Sequence, residues 1–137
     1  MFERILVPVD LSNRNRPALE VAGRLAEPDG ELTLLHVIET LDLPFEELED
    51  FYARLHDAAV SELDDMVAPL ARSGVSVVQR IEYGNRLRQI LGLVEEHAID
   101  LIVMNSRPVD PEAPASGFAS LSHQVAILAR VPVLLVK

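Results

Sequence analysis

Few residues of this 137-residue chain are suited to covalent chemistry, and they stand apart from one another. There is no cysteine, which excludes disulfides, thiolate metal sites, iron–sulfur clusters and thiol nucleophiles. His36, His56, His97 and His123 fall on four different predicted elements. None has a partner at the i, i+4 spacing with which a helix presents two ligands to zinc. Asp10 closes one apolar run and Asp100 opens another, so the two carboxylates belong at opposite ends of their strands and form no acid/base pair. Neither a nucleophile elbow, a P-loop nor a G-x-G-x-x-G fingerprint occurs. The residues therefore predict no catalytic residue, no metal site and no enzyme. A slow ATPase stays open as a further alternative; it would need a metal or a water-activating group, and the sequence singles out no residue for that role. Arg14 and Arg16, just after Asp10, are placed to meet an anion, but exposed loop arginines are common and solvation is the simpler reading. Arg86 and Arg88 open a predicted helix, where positive charge opposes the helix dipole; they are read as tolerated.

The elements that must position these residues follow from hydrophobic period. Residues 4–10 form a short apolar run ending in Asp10, as suits a strand buried on both faces. Pro17 is placed to open a helix, continued by Ala18, Val21, Ala22, Leu25 and Ala26 and closed by Pro28-Asp29-Gly30. Residues 31–38 make a second strand. Asp42-Leu43-Pro44 reads as a cap, and Leu48, Tyr52, Leu55, Ala59, Leu63, Met66 and Leu70 step at helical spacing. Pro69 is expected to kink or shorten that helix, and Gly74 to close it. Residues 75–83 predict a third strand near a sheet edge. Asn85 caps a third helix through Leu87, Ile90, Leu91 and Val94. Residues 100–104 are a fourth strand, 105–116 a proline-rich loop, and Phe118, Leu121, Ser122, Val125 and Ala129 line a fourth helix. Residues 131–136 are the last strand. Strict alternation of strands and helices implies an α/β fold, a single doubly wound (Rossmann-like) parallel sheet of five strands with helices on both faces. Such sheets bind ligands beyond the carboxyl ends of their strands, which singles out the loops after Asp10 and after Met104.

Length fits one domain, residues 1–137, since domains most often run about 100–150 residues. With 49% hydrophobic and 25% charged residues, the chain is not a disordered acidic tail. Net charge is -10, which disfavours nucleic acid and anionic membrane as partners. That charge is concentrated: residues 39–65 hold ten acids and one base, Arg54. The acids fall largely off the helical stripe and read as a solvated face; a partner of that face should be basic and salt-sensitive. No apolar run reaches the ~20 residues of a membrane span. Met1-Phe2-Glu3-Arg4 leads straight into a strand without a signal peptide, so a cytoplasmic location is expected.

Ordered along the chain are V-P-V-D-L-S at 7–12, L-L-H-V-I at 34–38, D-L-I-V-M at 100–104, S-L-S-H-Q-V at 120–125 and V-P-V-L-L-V at 131–136. Over essentially its full length the chain resembles a single-domain universal stress protein. The resemblance implies strand order 3-2-1-4-5, a homodimer, a stress-response role and, in one subgroup, bound ATP. That subgroup carries Met-Gly-x-x-Gly followed after nine residues by Gly-Ser or Gly-Thr. Here Asn105, Pro108 and Ala119 stand at the glycine positions, and the interval is one residue longer. Pro108 has no N–H for a phosphate, and Asp110 and Glu112 add negative charge beside it. Pro8, Val9, Asp10, Val37, Met104, Asn105, Ser120, Leu121 and Ser122 match the family's nucleotide-contacting positions. Each also has a plain alternative: Asp10 as a loop cap, Ser120 as a helix cap, Val37 as core. The expectation is a non-catalytic, dimeric protein acting through partners, with no cofactor and no tight ATP binding. The alternative is a switch that binds ATP or AMP. An apolar last strand at a sheet edge needs cover, so Val131, Val133, Leu134, Leu135 and Val136 are the expected dimer interface.

Overall fold

A computed structural model of the chain describes residues 2–40, 45–71, 74–106 and 120–137. The element order is β1 (Phe2–Pro8), α1 (Arg16–Leu25), β2 (Ala26–Ile38), α2 (Glu49–Ala71), β3 (Ser76–Tyr83), α3 (Arg86–Glu96), β4 (Leu101–Asn105), α4 (Leu121–Leu128) and β5 (Val133–Val136). The five strands form one sheet in the order β3-β2-β1-β4-β5, and every pairing is parallel. This is the doubly wound α/β fold expected from the alternation of strands and helices, and the strand order that the family resemblance implies.

Side-chain alternation sorts the core onto two faces. Ile5, Val7 and Val9 of the first strand run pack with Leu32, Leu34, Leu101 and Val103 against Ala18, Leu19, Ala22, Leu63 and Leu70, which come from α1 and α2. Leu6, Leu35, Val37, Ile102 and Met104 face Ile90, Leu93, Val94 and Val125 from α3 and α4. Strands that must be apolar on both faces read as continuous hydrophobic runs, and β1, β2 and β4 do so. The two helix pairs lie on opposite sides because the chain winds outward from β1 through β2 to β3, then crosses back to β4 on the other side of β1 and winds the opposite way to β5.

Several boundaries differ from expectation. Helix α1 stops at Leu25, and Pro28-Asp29-Gly30 lies inside β2 rather than ahead of it. Between Phe2↔Ala26 and Arg4↔Glu31 the register shifts, so the breaker residues are absorbed as an irregularity in the strand pair. A 3₁₀ turn at Phe45–Leu48 precedes α2; the expected cap at Asp42–Pro44 lies outside the described residues. Pro69 neither breaks α2 nor ends it at once, since the helix reaches Ala71. Gly74 follows with φ +81°, the left-handed conformation that glycine adopts without penalty. Strand β5 starts at Val133, two residues later than expected. The acids Glu39, Glu46, Glu49, Asp50, Asp57, Glu62, Asp64 and Asp65 are all exposed, while Tyr52, Ala59, Leu63 and Leu70 of the stripe are buried.

The opposite end of the sheet is held by Asp100. Its carboxylate accepts from the Glu3 and Arg4 backbone N–H groups at 2.9 and 3.1 Å, and the Arg4 guanidinium donates to the His97 carbonyl at 3.0 Å. Asp100 is thus a strand-end tie, remote from Asp10.

Gly30 is the tightest point of the irregularity. A Cβ there would lie 2.9 Å from the Glu27 carbonyl oxygen and 3.2 Å from that of Glu3. Both are backbone atoms and cannot swing away. Gly30→Ala is therefore expected to lower folding stability by about 1–3 kcal/mol, as overpacking does; urea unfolding with an unchanged m-value measures it.

Candidate functional site

The chain leaves the sheet at Pro8, and the next seven residues build a polar turn. The Val9 N–H donates to the Leu35 carbonyl at 2.8 Å. The Val9 carbonyl lies 3.0 Å from His36 Nδ1. A carbonyl only accepts, so Nδ1 carries the proton. Asp10 then turns toward a 3₁₀ turn at Asn13–Asn15 that runs into α1. Its Oδ1 accepts from the Ser12 N–H at 2.8 Å, from the Ser12 hydroxyl and from Asn15 Nδ2 at 3.0 Å. Among the described residues no donor is bonded to Oδ2.

Asn15 is the hidden part of this turn, only 3% exposed. Its amide donates to the carbonyls of Asp10 and Ser12 at 2.7 and 2.9 Å, and its carbonyl accepts from the Asp10 N–H at 3.3 Å. Burial pushes the Asp10 carboxyl up. The Ser12 hydroxyl and N–H, the Asn15 amide and the nearby Arg14 charge outweigh it, and the pKa ends below the ordinary 3.8. Asp10 is therefore an ionised acceptor with one oxygen committed and one presented.

A second cluster forms where β4 and β5 end. Met104 is buried, Asn105 pairs with Val136, and the Ser106 N–H donates to the Val136 carbonyl at 2.8 Å. The Ser122 hydroxyl donates to Ser106 Oγ at 3.1 Å, and Lys137 Nζ lies 3.4 Å from the same oxygen. Ser106 and Ser122 are both buried. Ser120 occupies the N-cap position of α4 with extended backbone, yet its hydroxyl makes no cap bond and turns to His123 Nδ1 instead. Its Oγ also lies 3.4 Å from that of Ser122. Leu121 packs into the core on the α3–α4 face.

Parallel pairing puts both clusters at one edge of the sheet. The register Ile5↔Leu101 and Leu6↔Ile102 sets β1 and β4 side by side in the same direction, so the Asp10 turn and the Ser106 cluster both lie beyond the carboxyl ends of these strands, where strand order reverses. Val37, buried near the carboxyl end of β2, faces the α3 side.

The sequence profile of the universal stress protein family matches residues 1–137. The chain belongs to the universal stress protein family. Universal stress protein YxiE of Bacillus subtilis is 28% identical, with all of both chains covered. The structure is similar to universal stress protein UspA from Lactobacillus plantarum, at 25% identity and a TM-score of 0.72, covering 98% of this chain and 97% of that one. It shares its fold with the universal stress protein from Archaeoglobus fulgidus solved in complex with dAMP, at 21% identity and a TM-score of 0.71, covering 98% of both chains.

The structure brings Pro8, Val9, Asp10, Met104, Asn105, Ser120, Leu121 and Ser122 to this edge, with Val37 on the next strand. Pro108, Asp110, Glu112 and Ala119 lie outside the described residues. Arg16 is paired with Glu20 at 3.4 Å along α1, so it is committed to its own helix. Arg86 pairs with Glu39 at 3.6 Å. The four histidines sit on separate elements, and no group of three metal-ligating side chains forms among the described residues. Sequence reasoning missed Asn15, Ser106, His123 and Lys137. Lys137 carried one signal, as the chain's lone lysine; Asn15 carried another, as an amide just ahead of a helix opened by proline.

Asn15→Ala removes the ties that hold Asp10. It is expected to cost roughly 1–3 kcal/mol of folding stability, because buried backbone groups lose their partners. It should also raise the Asp10 carboxyl toward 3.8. A carboxyl held low in the folded state stabilises fully above its unfolded pKa, and that contribution is lost as pH falls through the folded value. The wild-type acid limb of stability should therefore be steeper than that of the variant, as NMR titration of Asp10 and thermal melts between pH 2 and 6 would record.

Proposed function

We propose that this chain is a non-catalytic regulatory protein that binds an adenine nucleoside monophosphate at the β1–β4 edge and acts as a homodimer in a stress response. The observation that carries the nucleotide reading is the division of labour at Asp10. Three donors converge on Oδ1, which leaves the ionised Oδ2 to accept from nucleoside hydroxyls. Lys137, held across the gap beside Ser106, offers a positive charge to a phosphate. Support also comes from the Archaeoglobus fulgidus relative, which was solved with dAMP. A monophosphate suits the chain better than a triphosphate, since Asn105, Pro108 and Ala119 replace the subgroup's glycines and Pro108 has no N–H to give. No step of bond making or breaking is assigned to any residue here.

Dimerisation is the second part of the reading. Strand β5 ends the sheet, and Leu134 on it is 38% exposed. Ile127 and Leu128 at the end of α4 are exposed as well. Val133 and Leu135 pack inward on one face and Val136 on the other. Pairing β5 with its copy about a two-fold axis covers the edge and these side chains together.

Calorimetric titration tests the first part. AMP should bind, ATP should bind no tighter, and Asp10→Ala should weaken AMP about tenfold, the ~1.4 kcal/mol expected of one hydrogen bond to a charged group. Micromolar ATP binding abolished by Asp10→Ala would replace the monophosphate by a triphosphate; no heat with either nucleotide would end the nucleotide reading. Light scattering tests the second part: Leu134→Arg should give a monomer or an insoluble chain, and an unchanged dimer would remove this interface.

A further inference from the structure

A cleft of about 390 Å³ opens between the start of α1 and the last turns of α2. Small-molecule sites fall at about 300–1,000 Å³. Its floor is apolar, formed by Leu19, Met66 and Leu70. One wall carries Arg16 and Glu20 of α1, which answer each other at 3.4 Å. The other wall carries Asp65 and Pro69 of α2. Among the described residues no cation pairs with Asp65. That wall therefore offers a carboxylate beside hydrocarbon.

We propose that this cleft is a second binding site, one for a small amphiphilic cation. An alkyl or aryl ammonium would lay its hydrocarbon body on Leu19, Met66 and Leu70 and donate its N–H groups to Asp65. Arg16 and Glu20 offset each other, so a carboxylate or phosphate of the same size would meet the Asp65 charge as a like charge, and a neutral chain would forgo the ion pair. Ser12 and Asn15 also line the cleft, and both hold Asp10. An occupant therefore touches the residues that set the Asp10 turn, and the two sites are coupled through them. Occupancy of the cleft itself does not depend on the nucleotide reading.

The test titrates the nucleotide-free, ¹⁵N-labelled full chain with n-hexylammonium, n-hexanol and hexanoate. Hexylammonium should give saturable amide shifts at Leu19, Asp65 and Met66, with Ser12 and Asn15 moving in the same titration. Hexanol and hexanoate should bind about tenfold more weakly or not at all. Asp65→Asn, an exposed and nearly isosteric change, should bring hexylammonium down to the level of hexanol. Met66→Ser should weaken hexylammonium without changing its preference over hexanoate. Shifts that never saturate, that spread along the acidic face of α2, or that persist undiminished in Asp65→Asn would overturn the site; so would equal binding of hexanoate. Failure here leaves AMP titration unaffected, and failure of AMP to bind leaves these shifts in place.

Discussion

The chain leaves the sheet at Pro8 with strands on both sides, so the amides and carbonyls on that exit need partners. One buried side chain supplies most of them. The Asn15 amide serves the Asp10 N–H, the Asp10 carbonyl, the Asp10 carboxylate and the Ser12 carbonyl. Nδ2 has two protons for three acceptors, so at least one proton is shared. No aliphatic residue could stand in for it, because the bonds made would become buried groups left unmet. The direction in which α1 starts, and hence the packing of Ala18, Leu19 and Ala22 on β1, follows from this turn.

The same turn decides the electrostatics of the sheet edge. A carboxylate that accepts three hydrogen bonds on one oxygen stays ionised even where burial opposes it. Across the gap stands a cluster of opposite character, in which Lys137 approaches Ser106 beside the start of α4. One side of the gap accepts and the other donates. A ligand that matches this pair carries hydroxyls at one end and an anion at the other. The fold provides the gap through its winding, and a handful of polar side chains provides the polarity.

Strand identity was legible in the hydrophobic runs, because buried parallel strands must be apolar on both faces, whereas the strand order was legible only through the family resemblance, since a run of apolar residues does not say which strand lies beside it. The acidic helix was legible for the complementary reason: its stripe and its charges separate by angle. Boundaries were less so. Pro28-Asp29-Gly30 looks like a stop signal, yet the pairing of β1 with β2 resumes at Arg4↔Glu31 and draws the triplet into the strand. Here tertiary pairing overrides local preference. At the site, Asp10 was legible from its place at a strand end. Ser106 and Lys137 were not, because they lie thirty-one residues apart and meet only through the β4–β5 pairing. Ser120 was legible as a helix start but not as a partner of His123, a choice made by side-chain rotamers that no pattern encodes.

The net charge of -10 is a poor guide to this edge. Nearly all of it belongs to residues 39–65, and the described acids of that segment are exposed to water. Between exposed charges, interaction fades over a Debye length of about 8 Å at physiological ionic strength. A field summed over the whole molecule would repel any anion, whereas a ligand at the sheet edge meets mainly the groups within a few ångströms. Those groups are Asp10 on one side and Lys137 with two buried hydroxyls on the other. Whether an anion is welcome there is therefore set by the short-range contest between Asp10 and Lys137, whose outcome depends on how far the ligand holds its phosphate from the carboxylate. For the nucleotide proposed above, the distance between sugar hydroxyls and phosphate is the quantity on which that contest turns.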